Sequence, residues 1–261
     1  MARTSKTASI QRRHYGWHPD RPDHRDVLFA ASPASQGTLP AKVDLRRACP
    51  PIFNQGELGS CTANAISAAY RFDLLKQKID AGFVPSRLFI YYNERAMEGT
   101  IKSDGGAAIR DGIKSIAKQG VCSEAKLPYD VAKFAAKPSA ACFAEAKAHT
   151  ALSYQRVPQS ISQMKACLAA GYPFVFGFTV YESFESAAVA KSGVLNLPAQ
   201  SEKTVGGHAL LAVGYDDVAQ RITVQNSWGD GWGQKGYFTM PYAYINDSDL
   251  AEDFWTVRVV G

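Results

Sequence analysis

The spacing of apolar residues divides the chain into a helical first half and a strand-rich second half. Ser60 is a favourable N-cap, and apolar side chains then recur every three or four residues, which predicts a helix that begins at Cys61 and ends before Gly82. Further helices are predicted over residues 86–97, 107–120 and 160–171. Runs of β-branched and aromatic residues separated by Gly, Asp and Asn predict strands at 173–180, 208–217, 221–229, 236–245 and 254–261.

Helices followed by strands are typical of an α+β protein, here one of two lobes. We expect a helical lobe at about 55–170 and a β lobe at about 171–261, with the functional site in the cleft between them. Residues 1–38 show no sustained periodicity, which indicates an extended arm that precedes the folded domain. Four apolar side chains of the arm are candidate anchors on the surface of the domain: Tyr15, Trp17, Leu28 and Phe29.

The composition is that of an ordinary globular protein, with 46% hydrophobic and 20% charged residues among 261. No apolar run reaches about 18 residues, so we expect no membrane span. Six Lys and Arg residues of a chain with formal charge +5 fall within the first 25 positions. This basic cluster could contact an anion or a nucleic acid. The alternative is that it belongs to an arm whose charges are solvated. Because no nucleic-acid recognition motif accompanies it, we favour the solvated arm and expect no nucleic-acid partner.

The N-terminus also lacks the pattern of a secretory signal, because no apolar segment of about 7–15 residues follows its basic residues. We therefore expect a cytoplasmic location, with export by another route as the alternative. The five cysteines form no C-x-x-C pair, and no His/Cys cluster has zinc spacing. A mostly reduced set of thiols, with no metal and no cofactor, is the expectation.

Cys61 is the candidate nucleophile, and the alternative is a cysteine that merely sits at a turn. The thiolate is the reactive form of a thiol whose free pKa is about 8.5, and the first turn of a helix favours an anion. For the thiolate to form, a nearby histidine must accept the proton of the Cys61 thiol. Among the five histidines only His208 opens a strongly apolar strand, where its ring can face the cleft; the alternative is a hydrogen-bonded core histidine.

Three residues elsewhere complete a possible constellation. Asn226 can accept a hydrogen bond from the His208 ring N–H that points away from Cys61, which would make a Cys-His-Asn catalytic triad. Trp228 can shield that hydrogen bond from water. The Gln55 side-chain amide and the Cys61 backbone N–H can converge on a developing oxyanion. Plain core packing remains the alternative for Trp228, and a simple turn position remains the alternative for Gln55.

These residues carry a resemblance to the papain family of cysteine peptidases. The matching motifs, in the family's order, are Gln55-Gly56, Gly59-Ser60-Cys61, Gly207-His208-Ala209 and Asn226-Ser227-Trp228-Gly229. The separation of Cys61 and His208 also falls within the family's ~130–150 residues. The resemblance covers residues 39–261 and implies a papain-like two-lobe fold, with a helical N-terminal lobe and an antiparallel β-barrel-like C-terminal lobe.

Two departures from the family pattern involve a disulfide and an aromatic side chain. Leu58 and Ser103 stand where the family commonly has two paired cysteines, so both halves of one disulfide are missing together, which fits a reducing compartment. Thr62 replaces the tryptophan that usually follows the nucleophile.

The resemblance also implies a substrate-binding set. Gly105 and Gly106 correspond to the wall along which an extended peptide pairs its backbone, where glycine permits close approach. By position, the pocket for the second residue before the scissile bond would be lined by four small residues, with its floor not located: Ala107, Ala108, Gly206 and Ala209. Gly207 and Trp228 complete the substrate-binding set.

The family's propeptide of roughly a hundred residues does not fit before Leu39. Bacterial members with a short Gly-Trp-containing arm look similar. We expect residues 1–38, anchored through Trp17 and Phe29, to pack against or partly occlude the leaving-group side of the cleft. The predicted function is that of a monomeric cysteine endopeptidase acting on polypeptides without a cofactor. Two alternatives stay open: an acyltransferase that uses the same acyl-enzyme, and a non-catalytic binding module on a peptidase scaffold.

Overall fold

Helices dominate the first half of the described chain and strands the second. The computed structural model describes residues 15–32, 37, 39–79 and 82–260. The helices are α1 (Cys61–Gln77), α2 (Arg87–Glu98), α3 (Ile109–Lys118), α4 (Ala140–Ala146), α5 (Ile161–Ala169), α6 (Ala187–Ser192) and α7 (Tyr242–Ile245). The strands are β1 (Lys42–Asp44), β2 (Ala151–Arg156), β3 (Phe174–Tyr181), β4 (Thr204–Asp216), β5 (Arg221–Gln225), β6 (Tyr237–Pro241) and β7 (Ala251–Val260).

Helix α1 is the central helix and begins at Cys61, as the apolar spacing predicts. It is buried along most of its length and packs against α2 and α3 on one side and against β4 and β7 on the other. It ends before the predicted boundary because Lys78 adopts a left-handed conformation (φ 58°) and its N–H bonds to the carbonyls of Leu74 and Leu75. The end of α1 is therefore set by backbone capping and not by Gly82.

The sheet contains all seven described strands, paired antiparallel in the order β2-β7-β3-β4-β5-β6, with β1 beside β4. It is open and does not close into the barrel-like form that the resemblance implied. Each edge of the main path is instead covered by an irregular segment. Val27 to Phe29 of the arm bond to Arg156 of β2, and Val194 pairs with Thr239 of β6.

Several elements differ from their predicted extents. The strand predicted over 236–245 ends at Pro241, after which Tyr242–Ile245 forms a helical turn, because proline has no N–H for the ladder and suits the start of a helix. The short elements β1, β2, α4 and α6 were not predicted. β2 brings the chain into the sheet before residue 171.

Two apolar clusters flank the sheet. One joins α1, α2 and α3 to the sheet face that carries Val175 and Leu211. The other is rich in aromatic rings and includes Phe176, Phe178 and Phe184. The N-terminal end of α1 meets β4 beside His208, and this junction of helices and sheet is where the predicted site residues lie.

An acidic side chain connects two loops near this junction. Asp104 accepts hydrogen bonds from the Gly59 N–H at 3.0 Å and from the Tyr91 hydroxyl at 2.5 Å. These are the loops in which Leu58 and Ser103 replace the family's cysteines. The five cysteines, all within the described residues, are free thiols. Hydrogen bonds to one carboxylate thus hold the two loops together.

Candidate active site

Cys61 is the first residue of α1, and its side chain is fully buried. Ser60, which precedes it, bonds through its hydroxyl to Tyr129 at 2.6 Å instead of capping the helix. Burial raises the pKa of the Cys61 thiol to about 11, and the backbone N–H groups of Ala209 and Gly16 act in the opposite direction. In the conformation described, Cys61 is therefore a neutral thiol at pH 7, covered by the arm.

His208 and Asn226 form a hydrogen-bonded pair beside Cys61. The distance between His208 Nε2 and Asn226 Oδ1 is 3.0 Å, and the same oxygen accepts the Ser227 N–H at 2.8 Å. Because Oδ1 is an acceptor, Nε2 carries a proton, and Nδ1 is the ring nitrogen that can take another. Ala209, the next residue after His208, approaches the Cys61 thiol through its N–H, so β4 brings the backbone next to His208 up to the nucleophile.

An aromatic shell surrounds the imidazole. The Trp228 ring stacks on it with centroids 5.1 Å apart and an interplanar angle of 19°, and Phe178 lies directly opposite His208 on β3. His208, Asn226 and Trp228 are all buried. The His208–Asn226 bond is accordingly shielded from water, which strengthens it in a region of low dielectric constant.

Gln55 is held in the same site by Ser227. The Ser227 hydroxyl donates to Gln55 Oε1 at 2.5 Å, and Gln55 Nε2 donates to the Leu58 carbonyl at 2.9 Å. A backbone bond from the Gln55 N–H to the Ser227 carbonyl joins the two loops again. Ser227 therefore fixes the rotamer of the amide. Sequence reasoning assigned it no role, although its place directly after Asn226 was a usable signal.

Thr62 occupies the position of the missing tryptophan. Its hydroxyl donates at 2.9 Å to Glu94, a fully buried carboxyl group whose pKa burial raises well above its usual range. A buried carboxyl group hydrogen-bonded to the Thr62 hydroxyl thus lies next to the residue that follows the nucleophile.

The arm crosses the cleft directly over Cys61. Trp17 N–H donates to the Gly207 carbonyl at 2.9 Å, and the Ala107 N–H donates to the Gly16 carbonyl at 2.7 Å. A Cβ on Gly106, whose φ is +85°, would overlap the backbone of Gly16. Glycine at this position is what lets the arm lie so close to the wall.

The order of the arm residues along the cleft shows in which direction the arm runs past the nucleophile. Tyr15 lies beside the imidazole of His208, with ring centroids 5.6 Å apart, Gly16 lies at the thiol, and Trp17 lies beyond it against Gly207. We expected the arm on the leaving-group side. Tyr15 reaches that side, but Gly16 and Trp17 continue over the nucleophile onto the opposite side of the cleft.

The predicted substrate-binding residues are distributed along this path. Ala108 is the N-cap of α3 and bonds through its N–H to Glu98, and a Cβ on Gly206 would lie 2.7 Å from Tyr15. Gly105 lies one residue before the arm contacts, next to Ser103. Gly177 of β3, which sequence reasoning missed, contacts the Trp17 ring.

Comparison with known proteins identifies the scaffold that carries this geometry. The sequence profile of the family described as papain family cysteine protease matches residues 39–257. The chain belongs to the papain family of cysteine proteases. This membership confirms the predicted α+β two-lobe fold and makes the chain a peptidase.

Three relatives illustrate the range of similarity. The protease is 43% identical to xylellain, a cysteine protease from Xylella fastidiosa, whose crystal structure superposes with a TM-score of 0.90 over 97% of this chain and 100% of that one. It is also 43% identical to the uncharacterized peptidase C1-like protein L477 of Acanthamoeba polyphaga mimivirus, over 97% of this chain and 89% of the viral protein. Bromelain from Ananas comosus, in complex with the E64 inhibitor, is 25% identical, with a TM-score of 0.63 over 83% of this chain and 98% of bromelain.

Within the described ranges of the protease, none of the helices is both long and apolar enough to cross a bilayer. The same residues contain no group of three or more His, Cys, Asp or Glu side chains placed to hold a metal ion.

Proposed function

We propose that the protease is an endopeptidase in which Cys61 attacks the substrate carbonyl and His208 moves the proton. The observation that carries this proposal is the His208–Asn226 bond of 3.0 Å, which assigns the Nε2 proton and leaves Nδ1 to exchange a proton with the thiol. Transfer of the Cys61 proton to Nδ1 yields a thiolate–imidazolium pair once the arm no longer covers the site.

The reaction then follows from the positions of the donors. The thiolate sulfur bonds to the carbonyl carbon, and the charge that forms on the oxygen is held by the second N–H of Gln55 Nε2 and by the Cys61 backbone N–H. The imidazolium gives its proton to the leaving amine as the C–N bond breaks. Water then attacks the thioester with His208 as base, which releases the acid and restores the thiol.

We further propose that the arm is an intramolecular mask of this site and not a substrate. A substrate places the residues before the scissile bond away from His208, because His208 protonates the leaving group. The arm has the opposite direction, with Tyr15 beside His208 and Trp17 on the far side. It presents the Gly16 N–H to the thiol, and the Gly16 carbonyl accepts the Ala107 N–H at 2.7 Å, so Gly16 approaches the nucleophile through its N–H.

Three acidic residues at intervals of three support this masking role by anchoring the arm. Asp20 accepts bonds from Trp255 Nε1 at 2.8 Å and from the Arg110 N–H at 2.9 Å. Asp26 forms a buried ion pair with the Arg110 guanidinium, and Asp23 faces Lys114 at 3.3 Å. These charge-assisted contacts fix the arm on α3 and the sheet.

The test is hydrolysis of a fluorogenic peptide blocked at both ends, with reductant present. We expect the full chain and its Cys49→Ala variant to cleave this peptide at equal rates and Cys61→Ala to be inactive. Cys49 is the matched control because it is a thiol outside the cleft, bonded to the Leu45 carbonyl. Hydrolysis by Cys61→Ala at the parental rate would refute the assignment of the nucleophile, and cleavage only of peptides with a free terminus would refute endopeptidase action.

A further inference from the structure

The hydroxyl of Tyr129 lies between the two loops that carry the proposed oxyanion donors. It donates to the Gln55 carbonyl at 3.0 Å and lies 2.6 Å from the Ser60 Oγ atom. Gln55 supplies one donor through its side chain, and Ser60 directly precedes Cys61, whose backbone N–H is the other donor. One hydroxyl group therefore connects the residues that carry both donors.

The Tyr129 hydroxyl is one of four hydrogen bonds that fix Gln55. The Gln55 N–H donates to the Ser227 carbonyl at 2.9 Å, Oε1 accepts from the Ser227 hydroxyl, and Nε2 donates to the Leu58 carbonyl. Tyr129 supplies the fourth bond, to the Gln55 carbonyl. Because a side-chain amide has two N–H groups, the second N–H of Nε2 is the one available to an oxyanion. Its direction is set by these four bonds.

The second donor is oriented at the start of α1. Cys61 is the first residue of this helix, so its N–H has no acceptor within the helix. The Ser60 carbonyl and the Cys61 N–H belong to one planar peptide unit. Asn64 Nδ2 donates to that carbonyl at 2.9 Å and to Ser60 Oγ at 3.0 Å. The same side chain thus fixes both the peptide that carries the donor and the hydroxyl that contacts Tyr129.

The hydrogen bonds run in one direction from Arg87 to Gln55. The Arg87 guanidinium donates to Asn64 Oδ1 at 3.1 Å, and Asn64 donates in turn to Ser60 Oγ. The Gln55 carbonyl can only accept, so the Tyr129 proton goes to it and the Ser60 hydroxyl is the donor to Tyr129. The Arg87 guanidinium also lies 3.8 Å from the centroid of the Tyr129 ring, which fixes the plane of the ring.

We propose that Tyr129 is a positioning residue of the proteolytic reaction, whose hydroxyl holds the Gln55 amide and the Cys61 N–H at the separation that a single oxygen requires. The inference rests on the proposed function. Tyr129 acts through Gln55 and Ser60 and does not touch the substrate. Donors held in place before the reaction stabilise the charge that forms in the transition state, so loss of the hydroxyl should lower kcat and leave KM nearly unchanged.

Tyr129→Phe removes the hydroxyl and keeps the ring. We expect kcat for a doubly blocked peptide to fall about tenfold, less than the ~10²–10³ of a missing donor, because both donors stay in the site. Tyr215→Phe is the matched control, because Tyr215 is buried near the C-terminal end of β4 and its hydroxyl donates to the Pro40 carbonyl at 2.6 Å. It should change kcat less than about twofold.

A peptide nitrile separates the positioning of the donors from a general loss of structure. The Cys61 sulfur bonds to the nitrile carbon, the thiol proton passes to the nitrogen, and the resulting thioimidate N–H occupies the position of the oxyanion. Alkylation of Cys61 by iodoacetamide needs no oxyanion donor. Tyr129→Phe should therefore weaken nitrile inhibition about tenfold and change the alkylation rate less than about twofold. Loosening of the arm or of the fold would change both measurements, and that result would overturn the proposal.

Two further variants test whether the effect passes through the named partners. Ser60→Ala removes the donor to Tyr129 but leaves Asn64 its bond to the Ser60 carbonyl, so it should lower kcat about threefold. In a Gln55→Ala background, Tyr129→Phe should cost about threefold or less, because part of what it positions is already absent. Equal losses with and without the Gln55 amide, or a Tyr129→Phe variant with the kcat of the parent chain, would overturn the proposal.

The inference and the proposed function fail in different ways. If Gln55→Ala lowers kcat and nitrile affinity while Tyr129→Phe changes neither, the proposed function stands and the inference is overturned. If Tyr129→Phe weakens nitrile binding selectively but no blocked peptide is hydrolysed, the inference stands and endopeptidase action is overturned. If the parent chain neither hydrolyses the peptide nor binds the nitrile, both are overturned.

Discussion

Replacing Trp17 by alanine in the full chain should release the cleft. Almost all of this side chain is buried, and a tryptophan buries ~150–250 Å². At ~25 cal/mol per Å² this corresponds to roughly 4–6 kcal/mol, an upper bound because an open arm keeps part of the ring covered. Measured Trp→Ala costs in protein cores are ~3–5 kcal/mol. If the cost is the lower figure of ~3 kcal/mol, the fraction of molecules in which the arm has left the cleft should rise on the order of 100-fold.

The assay is the rate at which iodoacetamide alkylates Cys61, followed by mass spectrometry, together with the rate of hydrolysis of a doubly blocked peptide. Both rates should rise on the order of 100-fold, up to the point where the open form predominates. Leu28→Ala is the matched control, because Leu28 belongs to the same arm but is 58% exposed. It should change either rate less than about twofold.

The pH dependence of alkylation provides a second readout of the same variant. With the arm in place, burial raises the pKa of Cys61 to about 11, so the covered form retains its proton and alkylation increases only at high pH. Opening the cleft to water and to His208 should move the midpoint to lower pH. The reasoning is refuted if Trp17→Ala reacts within twofold of the parent chain and with the same midpoint.

Other changes test the oxyanion site, the arm anchor and a buried carboxyl group. Gln55→Ala should lower kcat by ~10²–10³ with KM nearly unchanged in steady-state hydrolysis; an unaltered kcat would exclude Gln55 from the oxyanion site. Asp20→Ala leaves the Trp255 N–H without its acceptor and should speed hydrolysis by about tenfold or more, whereas an unchanged rate would show that the arm is held elsewhere. Asp73 is buried, neither of its oxygens has a hydrogen-bond partner among the described residues, and burial raises its pKa to about 8. Because the folded state holds this proton more tightly, stability falls as pH rises from ~4 towards 8, by up to ~1.4 kcal/mol per unit. Asp73→Asn should flatten that slope in urea unfolding at pH 5 and pH 7.5; equal slopes in both chains would contradict it.

Local signals in the sequence were sufficient for much of the fold. The start of α1 agrees with the prediction from the apolar spacing after Ser60, although the Ser60 side chain bonds to Tyr129 and does not cap the helix. The strands β3 and β4 follow from their β-branched and aromatic content. Family membership and the predicted two-lobe fold are confirmed. β2 was missed because its burial is partial and its pairing partner, β7, lies about a hundred residues away.

The parts of the candidate site that lie in sequence motifs could be predicted. The parts that depend on tertiary contacts were harder to predict. Cys61, His208, Asn226 and Gln55 were predicted from their motifs, and in the structure hydrogen bonds join His208 to Asn226 and Gln55 to Ser227. Gly177 was missed, although an isolated glycine within a strand often marks the close approach of another group. The path of Gly16 and Trp17 depends on contacts such as Asp20 with Trp255, which join residues more than two hundred positions apart and leave no local pattern.

The backbone bonds between Arg156 and Val27 and Phe29 have a consequence for how masking is reversed. They hold the arm to the sheet edge about ten residues from Trp17, so release of the cleft need not detach the arm. A masking segment tethered in this way competes with substrate at an effective concentration in the millimolar range, whatever the concentration of the protein. Activity would then depend on substrate concentration and on the affinity of the substrate for the cleft. Substrates that bind the cleft at least as strongly as the tethered arm does would be the ones able to displace it.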